Sequence, residues 1–317
     1  MPKPVAFAAL ALLLAVTVAG APAGHAGAAK PAPAGPVSLA PAEADSLRAE
    51  VERNRAETLE WLKGGASSYL ATVQRVDFGA RTAFTVGSAA DADVRIDDPS
   101  VAARHLAVAV VGDSFRVAAL EPGATFRLGA AEAQAATVGP SGIGLGRFTL
   151  RLSHQRFPAV IVFDPQSPRF ADYKGLEWFP VDPAWRYVLS LTPNPKADTV
   201  VILSTRGNRR RAVRVGWFDF RAGGKNCRLH ATRLLEPGVG ENDISVLFRD
   251  ATTGRESYGV GRYLDPERLP DGRYLLDFNL AYNPACAFSE HYNCPIPPRE
   301  NVLKVAIRAG EKDAKYH

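Results

Sequence analysis

The spacing of apolar and polar positions changes character three times along the chain. Lys3 is followed by an apolar run, Val5–Val18, and then by small residues around Ala23 and Ala28. That order of basic start, short apolar core and small-residue cleavage region predicts an export signal over residues 1–28, too short for a membrane span. A Pro/Ala-rich linker follows over residues 29–41. Next, Leu47, Val51, Leu59 and Leu62, with Trp61 beside them, recur at helical spacing. Pro41 suits a first helical turn, Glu43 and Asp45 favour its dipole, and Gly64-Gly65 end it, so one helix is expected over 42–64, packed on the next domain.

From about Tyr69 the period shortens to β-branched and aromatic runs punctuated by Gly, Pro and Asp: Tyr69–Val76, Thr82–Val86, Val94–Ile96, His105–Val111, Ser114–Leu120 and Phe148–Leu152. This predicts an antiparallel sandwich over 65–154. Further runs, among them Val160–Phe163, Val188–Leu191, Val200–Leu203, Arg211–Phe220, Ile244–Phe248 and Tyr274–Asn279, predict a second β-rich domain over 155–317. The expected fold class is therefore all-β with one N-terminal helix. No internal repeat of 20–50 residues supports a solenoid or propeller.

Composition narrows this only a little. The 317 residues are 46% hydrophobic and 22% charged, which is globular. The formal net charge is +5, and removing the signal with Lys3 leaves +4. Such a balance gives no nucleic-acid footprint. No second apolar segment could cross a membrane, and no Cys stands near the cleavage region to carry a lipid.

The segment FTVGSAADADVRIDDPSVAARHLAVAV, with Gly87, Asp93, Ile96, Asp97, Arg104 and His105, resembles a forkhead-associated (FHA) domain over roughly residues 80–152. FHA modules grip phosphothreonine with an Arg and a Ser, whose places here hold Ser88 and Ala102. Losing two donors to a doubly charged phosphate predicts a sandwich without phosphothreonine binding.

The C-terminal half carries the more specific signature. FRDATTGRESYGVGRYL and LDFNLAYNPACAFSEHYNCPIPPRENVLKVAIRAGEK resemble the DUF1684 family, a bacterial and archaeal group without an assigned activity. Ser257 departs from its usual Thr. Members tend to carry an FHA-like front half, so the resemblance implies a shape and no reaction.

Within those segments Cys286 and Cys294 enclose seven residues. In an exported chain they predict a disulfide, stiffened further by Pro295, Pro297 and Pro298. A metal reading with His291 lacks a fourth ligand, and Cys227 is left as a buried thiol. Strand alternation sets Asp277 and Asn279 on one face with Phe278 opposite. Together with Asp250, Tyr258, Arg262, Asn283 and Glu300 they form either a small polar ligand pocket or a buried network that pins the loops. The function expected is a binding or scaffold protein; the alternative is a hydrolase-like enzyme with Asp277 or Glu300 as general base. No cofactor is expected. Arg206, Arg209, Arg210 and Arg211, on a hairpin tip, offer an anionic envelope component a surface.

Overall fold

The structure, a computed structural model, describes residues 34–196 and 198–315; the expected export signal lies outside the described residues. Helix α1 (Pro41–Gly64) begins one residue earlier than the sequence suggests. Glu43 closes its first turn by accepting from Ala40 N at 2.8 Å, and Gly65 N returns to Trp61 O at 2.9 Å. Its buried stripe is Leu47, Val51, Arg55, Thr58 and Leu62, so two polar residues fill the gap between the expected apolar positions. Arg55 donates to Phe179 O at 2.8 Å, which carries the helix past the sandwich to the C-terminal half.

Eleven strands follow in the first half: β1 (Thr72–Asp77), β2 (Ala83–Gly87), β3 (Val94–Arg95), β4 (Leu106–Val111), β5 (Ser114–Ala119), β6 (Phe126–Leu128), β7 (Ala131–Ala133), β8 (Ala135–Val138), β9 (Ser141–Leu145), β10 (Phe148–His154) and β11 (Pro158–Phe163). They form a six-stranded sheet, β1-β11-β10-β9-β6-β7, and a five-stranded sheet, β3-β2-β4-β5-β8. Inward residues such as Phe84, Phe115, Leu150 and Val160 make the core between them. β11, expected to open the second half, instead pairs with β10 from Thr149↔Phe163 to His154↔Pro158 and with β1 on its other side. A three-residue turn leaves too little chain to reach another sheet, so the hairpin closes at once.

The second half is built from β12 (Arg186–Leu189), β13 (Thr192–Pro193), β14 (Thr199–Leu203), β15 (Arg209–Ala222), β16 (Lys225–Leu234), β17 (Val246–Phe248), β18 (Arg262–Leu264), β19 (Glu267–Arg268) and β20 (Tyr274–Asp277). The long β15–β16 hairpin bends where the register shifts between Arg214 and Gly216. One face of this hairpin buries Phe218, Phe220 and Leu229 against Phe248, Leu276 and Phe278.

The two halves meet along the outer face of the six-stranded sheet. Ile161 of β11 packs there with Tyr69, Phe288, Tyr292, Cys286 and Cys294. Thr72 Oγ1 donates to Ser289 Oγ at 2.7 Å, and Asp77 accepts from Arg206 at 3.0 Å. Among the described residues no helix is long and apolar enough to cross a membrane.

Candidate functional site

The residues singled out from the sequence fall into buried knots. Arg262, 1% exposed, opens β18 directly after Gly261. Gly261 adopts φ +117°, and a Cβ there would lie 2.5 Å from Phe248 O, so no other residue fits without displacing that strand. The guanidinium donates to Ile307 O at 2.8 Å, to Ala309 O and to Asp250 Oδ2 at 3.3 Å. Asp250 also accepts from Ile307 N at 2.6 Å and from the Thr252 and Thr253 hydroxyls. Burial pulls the Arg262 pKa down, and the facing Asp250 carboxylate works against that pull.

Asp277 does not continue its strand into Asn279. The strand stops at Asp277, whose Oδ1 accepts from Asn279 N at 3.0 Å and caps a single 3₁₀ turn, Phe278–Leu280. Cap chemistry thus overrides strand alternation, yet still brings the two side chains together, with Asn279 Nδ2 2.9 Å from the same oxygen. Asp277 Oδ2 accepts from Arg186 at 2.8 Å, and Asn279 is held twice by the Asp182 backbone. Asn283 N donates to Glu311 Oε2 at 2.7 Å and its Nδ2 to Lys312 O at 2.7 Å. Tyr258 Oη donates to Cys286 O at 3.3 Å, and Glu300 pairs with Arg214.

No disulfide joins Cys286 and Cys294 in the structure, where both are buried. Cys286 sits in the 3₁₀ turn Ala285–Ala287, and Cys294 Sγ accepts from Cys286 N at 3.3 Å, so that sulfur is turned to its neighbour's amide. Cys227 is a buried thiol outside any disulfide, and burial raises its pKa. Among the described residues no group of three or more His, Cys, Asp or Glu is placed to hold a metal ion. The arginine hairpin is also divided. Arg210 is buried and bidentate to Glu236 at 2.5 and 2.7 Å, Arg206 reaches Asp77, and Arg209 and Arg211 remain exposed. In the sandwich, Arg104 is tied to exposed Asp91 at 2.7 Å. His105 accepts from Ala102 N through Nδ1 and lies 2.9 Å from Thr125 O through Nε2.

A cavity of about 580 Å³ opens elsewhere, between the outer face of the sandwich and the C-terminal half. None of Asp250, Tyr258, Arg262, Asp277, Asn279, Asn283 and Glu300 lines it. One wall comes from register. Arg75 of β1 and Arg151 of β10 both stand opposite Ile161 of β11, and Gly142 of β9 stands opposite Arg151. Leu150 and Leu152 point into the sandwich core, so Arg151 and Ser153 point outward. Tyr69 and Tyr292 form one end, ring centroids 5.2 Å apart. Leu234, Val239, Leu247 and Tyr263 form the opposite wall. At the rim Asp265 accepts from Ser245 and Tyr282 hydroxyls at 2.8 Å.

The family model for proteins of unknown function DUF1684 matches residues 171–312. The chain belongs to the DUF1684 family. An uncharacterised protein of Haloarcula marismortui, solved by solution NMR, is 37% identical over 49% of this chain and 85% of that one, with a TM-score of 0.39. No curated protein matches. The DUF1684 match begins after β11, so it covers the buried knots and the C-terminal wall of the cavity but not Arg75 or Arg151.

Sequence reasoning missed the cavity because its two walls are more than 60 positions apart and only the C-terminal one, through Tyr263, Tyr282, Pro284, Tyr292 and Cys294, touches the signature segments. The available signal was a polar residue, Arg151, alternating within the apolar strand FTLRLSH.

Proposed function

We propose that this DUF1684 protein is an exported two-domain binding protein that holds a small polar ligand in the cleft between an FHA-like sandwich and the DUF1684 half. The cleft carries the reading. Its volume is that of a small-molecule site, it lies between two domains where such sites concentrate, and it mixes apolar walls with a few polar groups. The knots around Arg262 and Asp277 support the same assignment from the other side. All but Arg262 Nε of the donors and acceptors described above are used within the protein, which suits the knots to hold the cleft walls in place. The ion pair of Arg104 with Asp91 and the backbone contacts of His105 fit a sandwich that serves as a wall. The basic start, apolar run and small residues of positions 1–28 support export.

A thermal-shift screen of small polar molecules against the wild type and Val239→Trp tests the assignment. Val239 lies in the loop between β16 and β17, and a Trp there fills the cleft from a surface segment. Compounds that raise Tm in the wild type and fail in the variant support the cleft as the site. Equal responses in both proteins, or no response to any compound, overturn it. Mass determination of the mature N-terminus checks export, with cleavage expected after Ala23 or Ala28.

A further inference from the structure

Three arginines line the cleft, and they differ in one respect. Arg75 is bidentate to Asp77, at 2.9 and 2.7 Å, and also donates to His291 O. Arg210 is bidentate to Glu236. Arg151, among the described residues, has no carboxylate and no hydrogen-bond acceptor. It is half-buried beside Ile161, in the same row as Arg75, and burial lowers its pKa. A guanidinium removed from water without a partner is costly, and ordinary folding would place an acid beside it or expose it.

Two phenols share this end of the cleft. Tyr69 is 4% exposed and Tyr292 is 5% exposed, yet among the described residues neither hydroxyl has a protein partner. Both rings lie near enough to Arg151 to feel its charge. The neighbouring wall cannot supply an acceptor side chain, because the position opposite Arg151 on β9 is Gly142. The carboxylates that line the cleft lie elsewhere: Glu236 is consumed by Arg210, and Asp243 and Asp265 are exposed at the rim.

Resting on the cleft reading, the geometry points to an oxyanion site, in which Arg151 and the Tyr69 and Tyr292 hydroxyls hold the carboxylate or phosphate group of a small ligand with an apolar body. A planar guanidinium donates two parallel hydrogen bonds to such a group, and two phenol donors complete its remaining acceptor positions. The apolar body lies along Ile161, Leu234 and Leu247. The exposed acids at the mouth disfavour polyanions, so the ligand carries a single anionic head.

Benzoate and phenyl phosphate serve as probes for the two head groups, inorganic phosphate as the head without a body, and benzyl alcohol as the neutral body. Binding to the full chain is followed by calorimetry and by the fluorescence of Trp61, whose ring stands edge-on to Tyr69 at 4.7 Å. Benzoate or phenyl phosphate is expected to bind at least tenfold tighter than benzyl alcohol, and Arg151→Met to lose at least tenfold of that affinity. The variant's own Tm is expected to stay level or rise, because an uncompensated charge has been removed, which a purely structural arginine would not allow. Whichever aromatic anion binds tighter names the head group; binding of inorganic phosphate alone points to a free anion and overturns the apolar body. Equal binding of benzyl alcohol and benzoate, full anion affinity in Arg151→Met, or no response to any anion overturns the oxyanion site. Neutral compounds that Val239→Trp still blocks would then leave the cleft reading standing on its own.

Discussion

Arg262 and Arg151 are both arginines taken out of bulk water, and the protein treats them in opposite ways. Around Arg262 the chain supplies Asp250, three backbone carbonyls and two flanking aromatic rings, Phe179 at 5.6 Å and Phe248 at 5.3 Å. Around Arg151 it supplies tyrosine hydroxyls and space. The first arrangement is met within the protein at every guanidinium nitrogen but Nε; the second is complementary to something outside it. Chemistry-rich sequence therefore marks the scaffold and only one side of the candidate site, while Arg151 lies where the sequence is plain.

The largest expected effect comes from breaking the finished side. Arg262→Met strands Asp250 and three carbonyls in a closed interior, and a loss of about 3–5 kcal/mol in unfolding free energy is expected by urea titration. A loss under about 1 kcal/mol would show that the knot is solvated and erase the contrast with Arg151. Asn301→Ala should follow. Its amide joins three segments, accepting from His230 N at 2.7 Å and donating to His230 O at 2.9 Å and Leu247 O at 2.8 Å. Removing it leaves buried backbone groups without partners, for about 2–4 kcal/mol. Ser153→Ala, on the cleft wall, should cost less than about 0.5 kcal/mol by the same measurement.

How much of this was legible in the sequence follows from the range of each interaction. Helix α1 was readable because Pro41, Glu43 and Gly65 act within a turn of where they stand. The all-β class was readable because strand period is local. The hub residues are readable as a group, Asp250 and Arg262 among them, but the choice between a ligand pocket and a buried network is not, since it depends on carbonyls at Ile307 and Ala309 some 45 positions on. The pairing of β11 with β10 and β1 is not legible, because an apolar run does not name its partner strand. The cleft was not readable at all, being made by the docking of one sheet's outer face on a distant hairpin.

The cysteines sharpen the comparison at intermediate size. A bond between Cys286 and Cys294 would constrain the loop behind Tyr292 by about 2–3 kcal/mol. With both as thiols, reductant should leave Tm unchanged, and denaturation without reductant should release three titratable thiols. A count of one would show the pair joined and the cleft's tyrosine end tied covalently.

The smallest effect is a pH slope to which both regions contribute. Burial lowers the pKa of His230, and nearby Arg214 lowers it further; burial also lowers that of His291. For both, the folded chain resists a proton that the unfolded chain accepts near the ordinary histidine value of 6.5. Their contribution to stability is therefore complete above pH 6.5 and is lost as pH falls through the lower folded values. His230 lies on the finished side, held by Asn301 through its backbone, whereas the carbonyl of His291 accepts from Arg75 at the cleft wall. Thermal melts between pH 7.5 and 5 should show Tm declining below pH 6.5, with His230→Gln and His291→Gln each flattening the slope. His230 faces Arg214 and Arg228 against Glu300 and Asp219, and His291 faces Arg169, Arg206 and Arg75 against Glu290, so burial and nearby arginines resist protonation at both. A slope left unchanged in either variant would mean that its histidine takes up its proton alike in the folded and unfolded chain.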